Sequence, residues 1–376
     1  MIMATDNKDK VLNVPNLRFP EFSGEWTQCT IGSYGNIITG STPSTSDTEN
    51  YDNGKYLWAS PSDLGEFKYV EQTQTRLTDK GFGKTRRFPA NSIMVTCIGS
   101  TIGKMGMSKV EMSTNQQINT IVPTGHDANF VFYTIQSRFP RYLSSIAVQA
   151  VPIISKSAFE KLENYTTSID EEIKIGTFLS LLDERIATQN KIIEKLESLI
   201  KGLCQKLTQQ GNPNTTLNEC LECYSSTLQE SSVFEAGDFP VYGATGICGY
   251  TDTPEVNGDS ILIIKDGASV GVTYYASGKY SAIGTLNSLV AKKGYSLRYL
   301  YYCLKVFNFA PYRTGLAIPH IYFRDYGKAQ IWCPQIAEQC RIASALEKVE
   351  QKIETEKSLL EQLYSQKRFL LQAMFI

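Results

Sequence analysis

Residues 171–208 read EEIKIGTFLSLLDERIATQNKIIEKLESLIKGLCQKLT, and the spacing of their apolar side chains decides the fold. Ile175, Leu179, Leu182 and Ile186, then Ile193, Leu196, Ile200, Leu203 and Leu207, climb in alternating steps of four and three; Gln189 is the polar interruption. A seven-residue apolar repeat keeps one seam turned toward a partner helix. The stretch holds no proline, and Gly211-Asn212-Pro213 follows as a stop signal. At about 1.5 Å per residue such a helix is a rod on the order of 57 Å long, which is a spacer.

The pattern returns at the C-terminus. A shift of 167 positions lands on Ile342, Leu346, Val349, Ile353, Leu360, Leu363, Leu370 and Met374, and Gln189 falls on Glu356. Identities keep register without a gap: Glu171 with Glu338, Ile175 with Ile342, Leu179 with Leu346, Leu196 with Leu363 and Leu203 with Leu370. The chain is therefore a duplication whose unit is a globular region followed by a long helix. Helices this one-sided are marginal alone in water, so the two are expected to pack on each other; if they run antiparallel, Gln189 and Glu356 lie in adjacent layers. The alternative is two surface helices, each packed on its own globular region.

Outward from the helices, short β-type runs alternate with turn clusters. Asn36-Ile37-Ile38-Thr39 precedes Gly40-Ser41-Thr42-Pro43-Ser44, Tyr56-Leu57-Trp58-Ala59 follows, and Ile93-Met94-Val95-Thr96 comes before Gly99, Gly103 and Gly106. In the second half Ser260-Ile261-Leu262 answers Ser92-Ile93-Met94, Gly267 and Gly271 answer Gly99 and Gly103, Asn287 answers Asn119, and Pro319 answers Pro152. The expected fold class is α+β: two β-rich α/β regions separated by two long antiparallel coiled-coil helices, with an internal pseudo-twofold repeat. The expected boundaries are a tail (1–13), a first globular region (14–168), the central helix (169–211), a second globular region (212–334) and the C-terminal helix (335–376).

The 376 residues carry a formal net charge of -1, which by itself names no partner. The distribution says more. Residues 216–259 hold eight acids and no Lys or Arg, whereas 260–333 hold nine Lys/Arg against Asp266 and Asp325. The first half does the same more mildly: eight acids and three bases over 14–75, then five acids and eleven bases over 76–165. Two locally basic stretches with interleaved tyrosines suit a polyanion. There is no apolar run of eighteen residues and the N-terminus is polar, so neither a membrane span nor a signal peptide is expected. Nine cysteines without framework spacing, Cys220 and Cys223 included, fit reduced thiols in a cytoplasmic protein.

Catalytic motifs are wanting. Gly83-Lys84-Thr85 resembles the end of a phosphate-binding loop, but Thr78 stands where glycine is required. His126 and His320 are the only histidines and have no metal-ligand neighbours; His320, after Pro319 in a basic setting, is a candidate phosphate contact. No Asn-Pro-Pro-aromatic tetrad, nuclease carboxylate–lysine cluster or nucleophile–base pair is found, so a recognition protein is expected rather than an enzyme, with no catalytic and no metal-binding residues. The rivals are a methyltransferase or nuclease with degenerate motifs, and a non-DNA coiled-coil adaptor with two binding heads.

Leu17-Arg18-Phe19-Pro20-Glu21-Phe22 with Trp26, the Gly40-Ser41-Thr42-Pro43-Ser44 loop, Trp58 with Asp63-Leu64, and Phe239-Pro240-Val241-Tyr242-Gly243-Ala244-Thr245-Gly246 with Gly249-Tyr250 are, in this order and with the two repeated helices, similar to the specificity (S) subunit of type I restriction–modification systems. The resemblance implies two target recognition domains that read a bipartite, asymmetric DNA sequence, and helices that dock two methyltransferase (M) subunits and, through them, restriction (R) subunits. S-adenosylmethionine, ATP and Mg would then belong to those partners, with no cofactor on this chain, in a cytoplasmic DNA-methylation and host-defence complex.

On that footing Lys80, Lys84, Arg86 and Arg87 are candidate phosphate contacts of the first domain, with Gln116, Gln117 and Asn119 as base readers. The candidates of the second domain are Lys265, Lys279, Lys292, Lys293, Arg313, His320 and Arg324. Beyond the seam, Phe178, Leu181, Ile192 and Leu199, with Leu359, Phe369, Leu371 and Phe375, supply extra apolar surface for docked partners.

Overall fold

In the computed structural model, residues 13–145, 152–315 and 317–376 are described. Two compact units emerge: one holds the chain up to Asn190 together with Leu359–Ile376, the other holds Lys191–Ser358. Both long helices form as read, over Ile169–Thr208 and Ile336–Ala373.

The first head is built on two main sheets, beside a two-stranded pairing of Thr27–Thr30 with Glu163–Thr166. One has the order Gly35–Thr39, Ile118–Pro123, Ile93–Thr96, Met105–Ser108 and Tyr69–Val70; the other runs Thr75–Leu77, Tyr56–Ala59, Met112–Thr114 and Arg87–Phe88. Ile93–Thr96 is buried along its whole length, as a β-branched central strand covered on both faces should be. The helix Ala128–Ser145 lies over the first sheet: Phe130, Val131, Tyr133, Ile135 and Phe139 join Ile93, Val95 and Ile121 in one core.

The second head repeats this plan except that no strand answers Tyr69–Val70. Its first sheet is Leu221–Ser225, Leu286–Ala291, Ser260–Ile264 and Thr273–Ala276, and its second is Gly246–Thr251, Phe239–Gly243, Lys279–Ala282 and Val256–Asn257. Even the odd pairing recurs, because Tyr56–Ala59 runs parallel to Met112–Thr114 and Phe239–Gly243 runs parallel to Lys279–Ala282. The turns that follow the central strands are set by glycine. Gly103 and Gly271 have φ of +91° and +92°, and a Cβ on either would sit 2.7 Å from the ring of Phe139 or Phe309.

Most heptad rungs are buried within each unit, with Leu182, Leu196, Val349 and Leu360 half-buried, and the direction is antiparallel. In the first unit Ile175 and Leu179, from the start of the central helix, share a core with Leu370 and Met374 from the end of the C-terminal helix. In the second, Ile200 shares a core with Ile342, Leu346 and Ile353. One detail departs from the seven-residue reading. Toward its end the central helix buries Ile200, Cys204 and Thr208, while Leu203 and Leu207 are half-buried. A helix of 3.6 residues per turn drifts past a strict 3.5 repeat, and here the head takes over from the seam as the packing partner. Gln189 and Glu356 are buried rungs. Among the described residues no helix is long and apolar enough to cross a membrane.

Candidate nucleic-acid interface

In the first head most of the candidate residues lie where the chain passes from the second sheet back to the first. Residues 115–117 join Met112–Thr114 to Ile118–Pro123, and the loop at 40–46 lies directly on them. Gly40 makes that contact possible, since a Cβ there would strike the carbonyl oxygens of Thr114 and Asn115. The backbone N–H of Gly40 donates to Ile118 O (3.0 Å) and that of Ser41 to Thr114 O (2.8 Å). Three side chains pin the loop from outside: Trp58 Nε1 donates to Ser41 O, Tyr51 Oη to Pro43 O and Asn50 Nδ2 to Ser44 O.

Amides and guanidiniums converge on this platform. Thr42 Oγ1 donates to Gln116 Oε1 (2.5 Å) and Asn115 Nδ2 to Gln117 Oε1 (3.0 Å). Both glutamines thus have their carbonyl oxygen engaged by the protein, and among the described residues their amide nitrogens donate to no partner. Arg86 is anchored alongside, its backbone N–H donating to Ser41 Oγ (3.0 Å) and Nη1 to Thr39 O (2.9 Å). Exposed Arg87 sits 5.6 Å from the centre of the Phe82 ring. Gln116, Gln117 and Arg86 therefore border the same loop at 39–42, with Arg87 beside Arg86 in the chain.

Three expected contacts fit less well. Asn119 is 3% exposed and accepts from Thr39 Oγ1 at 2.7 Å inside the first sheet, so it does not reach a base. Its counterpart Asn287 accepts from Ser225 Oγ at 2.8 Å across the same strand pair of the second head. Both asparagines clip strands, which is why they recur. Lys80 and Lys84 are exposed but already engaged: Lys80 pairs with Glu49 (2.5 Å) and Asp47 (3.0 Å), and Lys84 with Asp47 (3.1 Å). Lys80 and then Lys84 hold the Asp47 carboxyl below its ordinary range, while Glu49 and Asp47 raise Lys80. Exposed pairs are worth little, so phosphates can displace the acids, but the local charge is near neutral until they do.

The second head assembles a different cluster from the equivalent strands. Lys265 and Asp266 follow the central strand; Ile321 N–H donates to Lys265 O (2.9 Å), and His320 Nδ1 lies 2.6 Å from Asp266 Oδ1. Arg313 joins them, with Nη2 donating to Val270 O (3.1 Å) and the next residue, Thr314, exchanging backbone bonds with His320. Arg324, next in the chain, stacks over Tyr322 with 4.8 Å to the ring centre. Lys292 and Lys293 are not part of this cluster. They follow the opposite end of Leu286–Ala291, where Lys292 Nζ donates to Asn218 O (2.7 Å). A strand of this length separates them from Lys265 by on the order of 20 Å. Lys279 stands apart as well, beside the Phe239 ring on the second sheet. Where the first head has Gln116 and Gln117, the second has Gly284 and Thr285, and Gly284 N–H donates to Leu228 O (2.8 Å).

On the helices, Phe178, Leu181, Ile192, Leu199 and Phe369 are exposed, Leu181 and Phe369 by 59% and 61%. Ile169 and Ile173, near the start of the central helix, are exposed as well, on a different side from Leu181, Ile192 and Leu199, and were not singled out from the sequence. Leu359 and Leu371 are half-buried, and Leu371 packs on the first head's core. Phe375 is a correction: it is 5% exposed, its ring 6.1 Å from that of Trp26 and 5.7 Å from that of Phe130, so it belongs to the core and cannot dock a partner. Thr42 was not singled out by sequence reasoning, although its loop was; its role appears only when residue 116 is brought beside it. Among the described residues no group of three or more His, Cys, Asp or Glu could hold a metal ion.

The family described as "Type I restriction modification DNA specificity domain" matches the chain twice, over residues 23–198 and 224–365, so each match takes in most of one head and a long helix. The MjaIX specificity subunit of Methanocaldococcus jannaschii is 30% identical over 182 residues, which are 46% of this chain and 42% of that protein, well short of two thirds of its length. The EcoprrI specificity subunit of Escherichia coli is 20% identical over 340 residues, covering 83% of this chain and 84% of the relative. The crystal structure of the S subunit of a type I restriction–modification system from M. genitalium shares the fold, with a TM-score of 0.66 at 21% identity over 96% of this chain and 99% of that one. With the family matched over both repeats, the chain belongs to the type I restriction–modification DNA specificity family.

Proposed function

We propose that this chain is the non-catalytic, sequence-reading subunit of a type I restriction–modification complex, and that its two heads each read one half of a split, asymmetric DNA target. The observation that carries the reading is the double match of the specificity family onto a duplicated head whose two ligand-facing clusters differ in chemistry. In the first head Gln116 and Gln117 offer amide donors and Arg86 a guanidinium fork to base edges, while Arg87, and Lys80 and Lys84 once released from Asp47 and Glu49, meet phosphates. In the second head Lys265, Arg313, His320 and Arg324 take these roles. Lys279, Lys292 and Lys293 would act only as outlying phosphate contacts.

Exposed Phe178, Leu181 and Phe369 in the first unit, and Ile192 and Leu199 in the second, suit apolar docking of two methyltransferase subunits, which would in turn carry restriction subunits. S-adenosylmethionine, ATP and Mg then belong to those partners, and the complex works in the cytoplasm. The partition into recognition domains at 14–168 and 212–334 and helices at 169–211 and 335–376 is part of the same proposal. The test is methylome sequencing of cells expressing the chain with its methyltransferase. A new split motif with two unlike halves supports the reading, and an unchanged methylome overturns it. Binding of labelled S-adenosylmethionine by the chain alone would count for an enzyme instead.

A further inference from the structure

Each head meets a long helix through a polar clasp of the same chemistry. In the first unit Tyr133, on Ala128–Ser145, donates its hydroxyl to Asp183 Oδ2 on the central helix at 2.7 Å. Lys367 reaches Asp183 Oδ1 at 2.7 Å, and its side chain and that of Asp183 are both largely buried. A second ammonium, buried Lys68, lies 3.1 Å from the Tyr133 hydroxyl and donates to Asn129 Oδ1 (2.6 Å) and Ser180 Oγ (3.0 Å). In the second unit Tyr302, on Leu297–Lys305, donates to Glu350 Oε2 at 2.9 Å, Tyr301 donates to Oε1 at 3.3 Å, and Lys305 Nζ pairs with Oε1 at 2.6 Å.

Asp183 and Glu350 stand 350 − 183 = 167 positions apart, the offset that brings the two long helices into register. The parts are not the same: aspartate against glutamate, lysines from a loop and the C-terminal helix against one lysine on the head's own helix. The chemistry nevertheless is the same, a phenol and an ammonium converging on one helix carboxylate. An apolar contact lets a head slide over the rungs beneath it. A carboxylate that accepts from a phenol and an ammonium accepts from fixed directions, and burial makes those bonds costly to leave unmade, more so at Asp183 than at the more exposed Glu350.

We propose that the two clasps fix the angle at which each head is held on its helix, so that Tyr133 with Asp183 and Tyr302 with Glu350 are positioning residues, each for the half-site its own head reads. This rests on the DNA-reading role proposed above. The test uses the full chain co-expressed with its methyltransferase, with methylomes compared for wild type, Tyr133→Phe and the double variant Tyr301→Phe/Tyr302→Phe. Each change removes hydroxyls and leaves the rings. The expected result is that Tyr133→Phe raises methylation of sites with one wrong base in one half-site by about fivefold, the worth of one hydrogen bond, and leaves the other half-site as strict as before. The double variant does the same to the opposite half-site.

General loosening of the protein would relax both halves together or lower all methylation, so an equal effect on both, or none from either variant, overturns the proposal. Should a tyrosine variant fail to accumulate, Lys305→Gln at the rim of the second clasp gives the same one-sided relaxation at smaller size, and its absence overturns the proposal equally. A wild-type chain that directs no split motif defeats the DNA-reading role itself, an outcome distinct from a wild type that reads normally beside variants that do not relax.

Discussion

Arg18 and Glu171 show how much a single residue pair can hold. The guanidinium meets the carboxylate through both Nε and Nη2 at 2.7 Å, its Nη1 and Nη2 also donate to Gly24 O and Ser23 O, and Glu171 is fully buried at the head of the central helix. Arg18→Ala leaves that carboxylate buried with, among the described residues, only the Thr167 hydroxyl as a remaining side-chain donor. The expected cost is about 3 kcal/mol, read as a lowered unfolding midpoint in denaturant. Lys68 offers a second test at this scale. Burial, the largest cause, pushes its ammonium down to about 8 from an ordinary 10.5, although Asp183 pulls the other way. Between those two pH values the unfolded chain binds the extra proton, so stability contributed at this site rises with pH: the cost of burying the charge is full below pH 8 and fades by 10.5. The stability of wild type relative to Lys68→Met should therefore improve by about 3 kcal/mol from pH 7 to 10.5, and a flat difference in unfolding free energy would refute the assignment.

At the scale of elements, the heads depend on two glycine turns and the helices on their rungs. Gly271→Ala puts a Cβ both into a positive-φ backbone and 2.7 Å from the Phe309 ring, so it should destabilise the second unit by more than about 1 kcal/mol; Gly278→Ala, with φ of +81° and open space around it, meets only the backbone term. Thermal unfolding of the two variants separates crowding from strain. Leu179→Ala removes a fully buried rung that shares a core with Phe130 and Leu370, for an expected loss of about 2–5 kcal/mol. The periodicity of four and three was enough to find both helices and most rungs. It misplaced the last turns of the central helix, where Cys204 rather than Leu203 is fully buried, because periodicity in a sequence does not say where one packing partner gives way to another.

For the molecule as a whole, the proposed role makes affinity for duplex DNA electrostatic in large part. Binding should weaken steeply with added salt, and Arg87→Ala should lower affinity for all sequences alike and flatten the salt slope. Gln116→Ala should instead cost about 1–3 kcal/mol on the cognate sequence alone and relax one base position, as measured by competition with single-substituted duplexes.

Duplication, helix register, the β-rich class of the heads and the alternation of acidic and basic stretches were all written in the linear order of residues, because each is a repeat or a period that survives without coordinates. Which polar side chains stay exposed and which are used inside a sheet was decided only by folding. Asn119 and Gln116 lie three positions apart, yet one accepts a bond inside a sheet and the other is held outward by Thr42, seventy-four positions away. Phe375 and Phe369 carry the same ring, and only packing against Trp26 and Phe130 makes the first a core residue and leaves the second exposed. Burial and hydrogen bonding are set by neighbours distant in the chain, and no local pattern encodes them.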